Sequence, residues 1–178
     1  MLTKPLLFPY TYGIERMEDS AMFTVGDKIV YPMHGAGIIR DIEVKNILGK
    51  NRNYYILKLP GSDMNVMIPV ENQEAVGIRD IVSREKMREV IEFLHGESSR
   101  MEQNWNRRYR ENMEKLKSGN LMLVAEVVKN LVRADRKKKL SSGERKLLLN
   151  AKQILGSEMV LVLDITPSEA ETLMEESI

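Results

Sequence analysis

Cysteine is absent from this chain of 178 residues, which excludes disulfides and thiolate metal sites and is compatible with a reducing compartment. Histidine is scarce, and His34 and His95 alone leave little for a transition-metal site. Long apolar runs are missing: none approaches the roughly 18 residues needed to span a bilayer. The first 21 residues hold a short patch of Leu6, Leu7 and Phe8 beside Glu15, Glu18 and Asp19, unlike a secretory signal. A formal net charge of +1 argues against a uniformly basic, histone-like protein. These shortages point to a cytoplasmic chain, and 43% apolar content is enough for one medium domain or two small ones.

Catalytic chemistry is equally sparse. The carboxylates are scattered among helical charge pairs, with no isolated pair suited to acid–base work. The run His34, Gly35, Ala36, Gly37 resembles an oxyanion or phosphate loop, but no nucleophile with a partner base accompanies it and no strand–loop–helix context follows. A tight turn between two strands accounts for it. An enzyme is not expected, nor a cofactor, a metal or a small-molecule substrate.

What is present is an asymmetry of charge. Residues 100–152 carry fifteen Lys and Arg against six Asp and Glu, whereas residues 158–178 carry six acidic groups and no basic one. A basic middle followed by an acidic end points to a nucleic-acid partner, and solvated helix faces account for it equally well.

The hydrophobic period changes near residue 75. Before it, residues 24–31, 37–44, 53–59 and 65–70 read as short strands rich in β-branched and aromatic side chains, separated by turn residues at 34–37, 48–51 and 60–63. Four or five strands in about 50 residues fit a small antiparallel barrel of SH3 or Tudor type. Beyond Val82 the period is helical. Ser83 can cap a helix running to Leu94, residues 99–117 read as a second, and Leu121, Val124, Val128 and Leu131 form the stripe of a third. Ser141 and Glu144 spell a capping box before a fourth, and Thr166, Pro167 and Glu169 open a fifth. The expected architecture is α+β: an N-terminal barrel over residues 22–75 and a C-terminal all-α helical bundle over 76–178. Residues 1–21 show no period, and because Met22 directly precedes the first strand they are expected to be a disordered or non-native upstream extension.

The single tryptophan, Trp105, stands among Arg107, Arg108 and Arg110 with Tyr109 between them. Three cations suit a phosphate backbone, and a flat apolar ring suits wedging against bases. Met101, Trp105, Tyr109 and Leu116 also fall near one helical face, so a core tryptophan remains open. Arg107 with Glu111 and Arg110 with Glu114 are spaced for surface ion pairs, which at a few tenths of a kcal/mol do not explain the clustering. Arg136, Lys137, Lys138 and Lys139, with Arg145 and Lys146, form a second basic group around the start of the fourth helix, either solvated or phosphate-binding.

Three stretches, FTVGDKIVYPMHGAG at 23–37, YILK at 55–58 and IPVEN at 68–72, are similar to the N-terminal signature of the CarD/CdnL family of bacterial RNA polymerase-binding transcription regulators. NWNRRYRENMEKLKSG at 104–119, VAEVV at 124–128 and LSSGERK at 140–146 resemble its C-terminal signature. The barrel signature alone is less specific, because transcription-repair coupling factor carries a similar module. The resemblance implies a Tudor-like domain that docks on the β1 lobe of the RNA polymerase β subunit by sheet-edge pairing, with Lys45, Ile47 and Met67 at the contact. Family members often have arginine where this chain has Met67. It also implies that the helical domain reaches promoter DNA at the upstream edge of the bubble, with Trp105 wedged in the minor groove. Arg107, Arg108 and Arg110 then hold the backbone beside it, and Arg145 and Lys146 reach further phosphates. Two other classes stay in view: a protein-interaction adaptor with a buried tryptophan, and an RNA- or ribosome-associated protein.

Overall fold

Alternation with a period of two places Ile29, Ile39, Tyr55, Leu57 and Ile68 on one side of an antiparallel sheet, where they are buried with Phe23, Leu59 and Val70. The computed structural model describes residues 23–178; the expectation for residues 1–21 lies outside the described residues. The strands are β1 (Lys28–Tyr31), β2 (Gly35–Ile47), β3 (Lys50–Lys58), β4 (Asn65–Pro69) and β5 (Arg79–Asp80), in the order β4-β3-β2-β1-β5. The Tyr55 hydroxyl donates to Gln73 Oε1 at 2.8 Å and receives the Phe23 N–H at 3.3 Å, so the largest core side chain is satisfied at its polar tip.

Three details depart from the spacing of the sequence. Residues 24–27 form a turn rather than strand, because the Asp27 carboxylate takes the Thr24 N–H at 2.7 Å. The two-residue β5, too short to show a period, adds a fifth strand beside β1. The expected closure into a barrel is not made by strand pairing: among the described residues no hydrogen-bonded pair joins β4 to β5.

Five helices follow: α1 (Arg84–His95), α2 (Trp105–Lys117), α3 (Leu121–Lys137), α4 (Ser142–Leu163) and α5 (Pro167–Glu176). Ser83, Ser141 and Thr166 cap α1, α4 and α5, and the last two form full capping boxes with Glu144 and Glu169. The α2 helix starts six residues later than its apolar spacing predicts. Its cap is Asn104, whose side chain accepts the Arg107 N–H at 3.1 Å, while Ser99 N–H is drawn to Asn130 Oδ1. Among the described residues no helix is long and apolar enough to cross a membrane.

The C-terminus of α1 is closed by cations from α3. Lys129 is buried, donates to Phe93 O at 2.8 Å and lies 3.5 Å from the centre of the Phe93 ring; Arg133 donates to Leu94 O and Gly96 O. Burial, with repulsion from Arg133, holds the Lys129 ammonium below its ordinary pKa.

The long α4 belongs to both halves of the fold. Its Leu147, Ala151, Leu155 and Met159 enter the helical core, while Leu161 packs with Val30 and Ala36 on the opposite side of the sheet from Tyr55. Ser157 Oγ accepts the Ala36 N–H at 2.8 Å. A Cβ at Gly35 (φ +106) would lie 2.5 Å from that oxygen, so the close approach requires glycine. Glu158, fully buried, holds Arg79 by two hydrogen bonds of 2.7 and 2.9 Å and also accepts the Val82 N–H at 3.0 Å.

Candidate nucleic-acid interface

Because Asn104 stops α2 from starting earlier, Trp105 becomes its first residue and its ring sits at the helix end. One turn on, Tyr109 stacks beneath it at 5.6 Å between centroids and 23° between planes. The indole Nε1–H donates to Ser141 Oγ at 3.0 Å, and a Cβ at Gly143 would touch the ring at 3.5 Å. The edge of the ring therefore rests on the first turn of α4, while 44% of the residue stays exposed. Trp105 is an anchored rim residue, neither buried in the core nor free.

The anchor is itself braced. Ser141 Oγ accepts the Glu144 N–H at 3.3 Å and donates to Glu144 Oε2 at 3.0 Å. Arg108 donates from Nε to Glu144 Oε1 at 2.8 Å, adds an Nη2 contact of 2.6 Å, and gives Nη1 to the carbonyls of Glu102 and Gln103. Burial pushes the Glu144 carboxyl up, but the Arg108 and Ser141 hydrogen bonds and the Arg108 charge outweigh it and hold it below the ordinary value. Arg108 is thus occupied inside the fold.

The other basic residues point outward. At about 100° per residue, Arg107 and Arg110 lie roughly 200° and 140° around α2 from Trp105, on the opposite face. Both are exposed, and neither forms the ion pair its spacing offers with Glu111 or Glu114; Glu114 pairs with Lys117 instead. Arg145 and Lys146 are exposed on the first turn of α4 and make no ion pair among the described residues. A cleft of about 490 Å³ opens beside the ring, lined by Met101, Trp105, Arg108, Lys138, Lys139 and Glu144 among others. Among the described residues no three His, Asp or Glu side chains converge as a metal ion would need.

Lys45, Ile47 and Met67 are carried by β2 and β4 of the sheet, not by the helices that form this rim. The pairings Lys45 with Arg52, Ile47 with Lys50 and Met67 with Ile56 put all three on the face opposite Tyr55. Lys45 and Ile47 are neighbours on that face, but Met67 stands apart: the β3 positions facing Lys45 and Met67 are four steps apart, roughly 13 Å along the strand. Lys45 is paired with Glu43, and Ile47 and Met67 are about half exposed. Sequence reasoning found Ser141 and Glu144 as a cap but not as the support of Trp105. The link crosses 36 residues, and no local pattern reports it.

Residues 23–82 match the CarD-like/TRCF RID domain family, and residues 89–175 match the family described as CarD, C-terminal domain. A protein of Bacillus subtilis (strain 168), named "Putative transcription factor YdeB", is 40% identical over 152 residues, covering 85% of this chain and 99% of that protein. With an antiparallel sheet under the first match and a tryptophan-tipped helical bundle under the second, the chain belongs to the CarD/CdnL family of transcription regulators.

Proposed function

We propose that this protein docks on the RNA polymerase β subunit, at its β1 lobe, and stabilises the promoter open complex by setting Trp105 in the minor groove at the upstream edge of the bubble. Residues 22–75, taken as a Tudor-like barrel, form the docking domain, with Lys45, Ile47 and Met67 at the contact. The open edge at β4 is available for strand addition. Residues 76–178 form the DNA-facing domain. Arg107, Arg110, Arg145 and Lys146 contact phosphates. Arg108, spent on Glu144, keeps the Trp105 platform in place, its charge balanced by that carboxylate. No catalysis and no cofactor enter this reading, and the protein works in the cytoplasm wherever the polymerase is.

The observation that carries it is the half-exposed, hydrogen-bonded and stacked Trp105. A ring immobilised before binding loses little entropy on insertion, so more of its stacking energy appears as affinity. It fits only distorted or opened DNA, and a ligand shifts an equilibrium only through such differential affinity. A preference of about 1.4 kcal/mol changes the open-to-closed ratio roughly tenfold. Docking on polymerase raises the local concentration of the wedge, so weak DNA affinity suffices.

The test is bubble opening by polymerase holoenzyme on a promoter with a fluorescent reporter in the melted region. The open fraction rises with this protein, and Trp105→Ala abolishes the rise while remaining folded. An unchanged open fraction despite confirmed binding to the β subunit would reduce the protein to a docking adaptor.

A further inference from the structure

Four adjacent cations remain outside that account. Arg136, Lys137, Lys138 and Lys139 span the end of α3 and the turn to α4; all four are exposed, and none pairs with a carboxylate among the described residues. The helix dipole favours Arg136 and Lys137 in the last turn of α3. It also reaches Lys138 at the C-cap, but it does not account for Lys139, which stands beyond the helix, or for four adjacent like charges that repel one another. The one acid of the segment, Asp135, is engaged with the Leu140 N–H at 2.9 Å, across the turn. Lys138 N–H donates to Ala134 O and Leu140 is buried, so the turn is fixed at both ends.

Its position gives the charge a use. Lys138 and Lys139 line the same cleft as Trp105, and Ser141, two residues on from Lys139, receives the indole N–H. The turn therefore lies on the α4 side of the ring, whereas Arg107 and Arg110 leave α2 from its opposite face. We infer that the 136–139 turn is a second phosphate-binding arm. It takes the backbone of the DNA strand across the minor groove from the one held by Arg107 and Arg110, so that the ring enters between two cationic rims. The inference rests on the DNA-facing reading of Trp105. Lysine suits the task, because a flexible point charge follows a sugar–phosphate chain without needing a fixed bidentate geometry.

The absence of cysteine makes the test direct. Lys138→Cys and, separately, Arg110→Cys carry an iron chelate that releases hydroxyl radicals, and strand scission is mapped in the holoenzyme–promoter open complex. The expected result is scission at the upstream bubble edge from both sites, on opposite strands. Scission from position 110 alone, or from position 138 only into polymerase, overturns the inference. The quadruple variant R136Q/K137Q/K138Q/K139Q, whose altered side chains make no internal bonds, is then compared with wild type for promoter-complex affinity against salt. The dependence of log affinity on log salt should fall by about 0.9 for each lost duplex contact, with affinity about tenfold weaker at moderate salt. A wild-type slope overturns the arm. These outcomes are separable from those of Trp105: normal opening by Trp105→Ala with DNA scission from position 138 removes the wedge and keeps the arm. Loss of opening in Trp105→Ala with a wild-type slope in the quadruple variant does the reverse.

Discussion

Ser141 Oγ joins three groups at once: it caps α4 through the Glu144 N–H, holds the Glu144 carboxylate, and accepts the Trp105 indole N–H. Ser141→Ala removes all three bonds. An N-cap contributes about 1 kcal/mol and an exposed side-chain hydrogen bond somewhat less, so a loss of about 1.5 kcal/mol is expected. In a chain of this size that lowers Tm by about 3 to 6 °C. The only indole is Trp105, so its emission reports the anchor without interference; quenching by acrylamide should rise in Ser141→Ala, and unchanged quenching would mean the bond does not hold the ring. A pH dependence belongs to the same group of residues. The Glu144 carboxyl sits below its ordinary value of 4.5 in the folded protein, so the unfolded chain binds its proton more readily. The stabilisation is therefore complete above about pH 4.5 and is lost as pH falls through the lower folded value. Unfolding free energies of wild type and Glu144→Gln measured between about pH 6 and pH 3 should converge toward the acid end. A constant gap would show that Glu144 stabilises by shape alone.

The β2–β3 hairpin carries a conformational cost at its tip. Leu48 (φ 53°) and Gly49 (φ 77°) both adopt the left-handed region, the pattern of a turn that prefers Asn followed by Gly. Leu48 is 97% exposed and gains nothing from burial to offset the strain of about 1 kcal/mol. Leu48→Asn is expected to stabilise the protein by roughly 0.5 to 1 kcal/mol, read as a higher midpoint in urea; an unchanged or lower midpoint would refute the strain argument. The elements most legible in the sequence were those with local signals. Ser83, Ser141 and Thr166 announced three helices at the positions where they start, and the stripe from Leu121 to Leu131 announced a fourth. Over residues 99–104 the sequence reads as helix, because Met101 continues the apolar spacing of Trp105 and Tyr109, whereas α2 begins at Trp105. A cap from Asn104 and a long-range bond from Asn130 overrode that period. The basic and aromatic residues of the rim were visible as types. Their division into outward-facing Arg107 and Arg110 and inward-paired Arg108 was not, because it depends on Glu144, 36 residues further along the chain.

Across the whole molecule, the sheet and the helices are joined along α4, and the strongest polar link is the pair formed by Arg79 and Glu158. Glu158 is fully buried and accepts three hydrogen bonds, from both terminal nitrogens of Arg79 and from the Val82 backbone; Arg79 also donates to Gly119 O at the start of α3. One carboxylate thus ties β5, the chain leading into α1 and the C-terminal third of α4 into a single frame. Removing one partner of such a pair leaves the other charge desolvated, which costs about 3 kcal/mol, at the lower end of the usual range because Arg79 retains some access to water. Glu158→Gln is expected to lower Tm by about 6 to 12 °C, and its unfolding should broaden or split as sheet and bundle lose their coupling. The consequence for function follows from geometry. If polymerase docking and the Trp105 wedge act together, the frame fixes the vector between them, and the advantage of tethering depends on that vector. At a temperature where the variant is folded, Glu158→Gln should bind the β subunit as wild type does, yet raise the open fraction less. The double variant Arg79→Met, Glu158→Leu, with no buried charge left unpaired, should recover most of the stability without the fixed orientation. Full recovery of promoter opening in that variant would show that apolar packing along α4, through Val30, Ala36 and Leu161, is enough to set the arrangement.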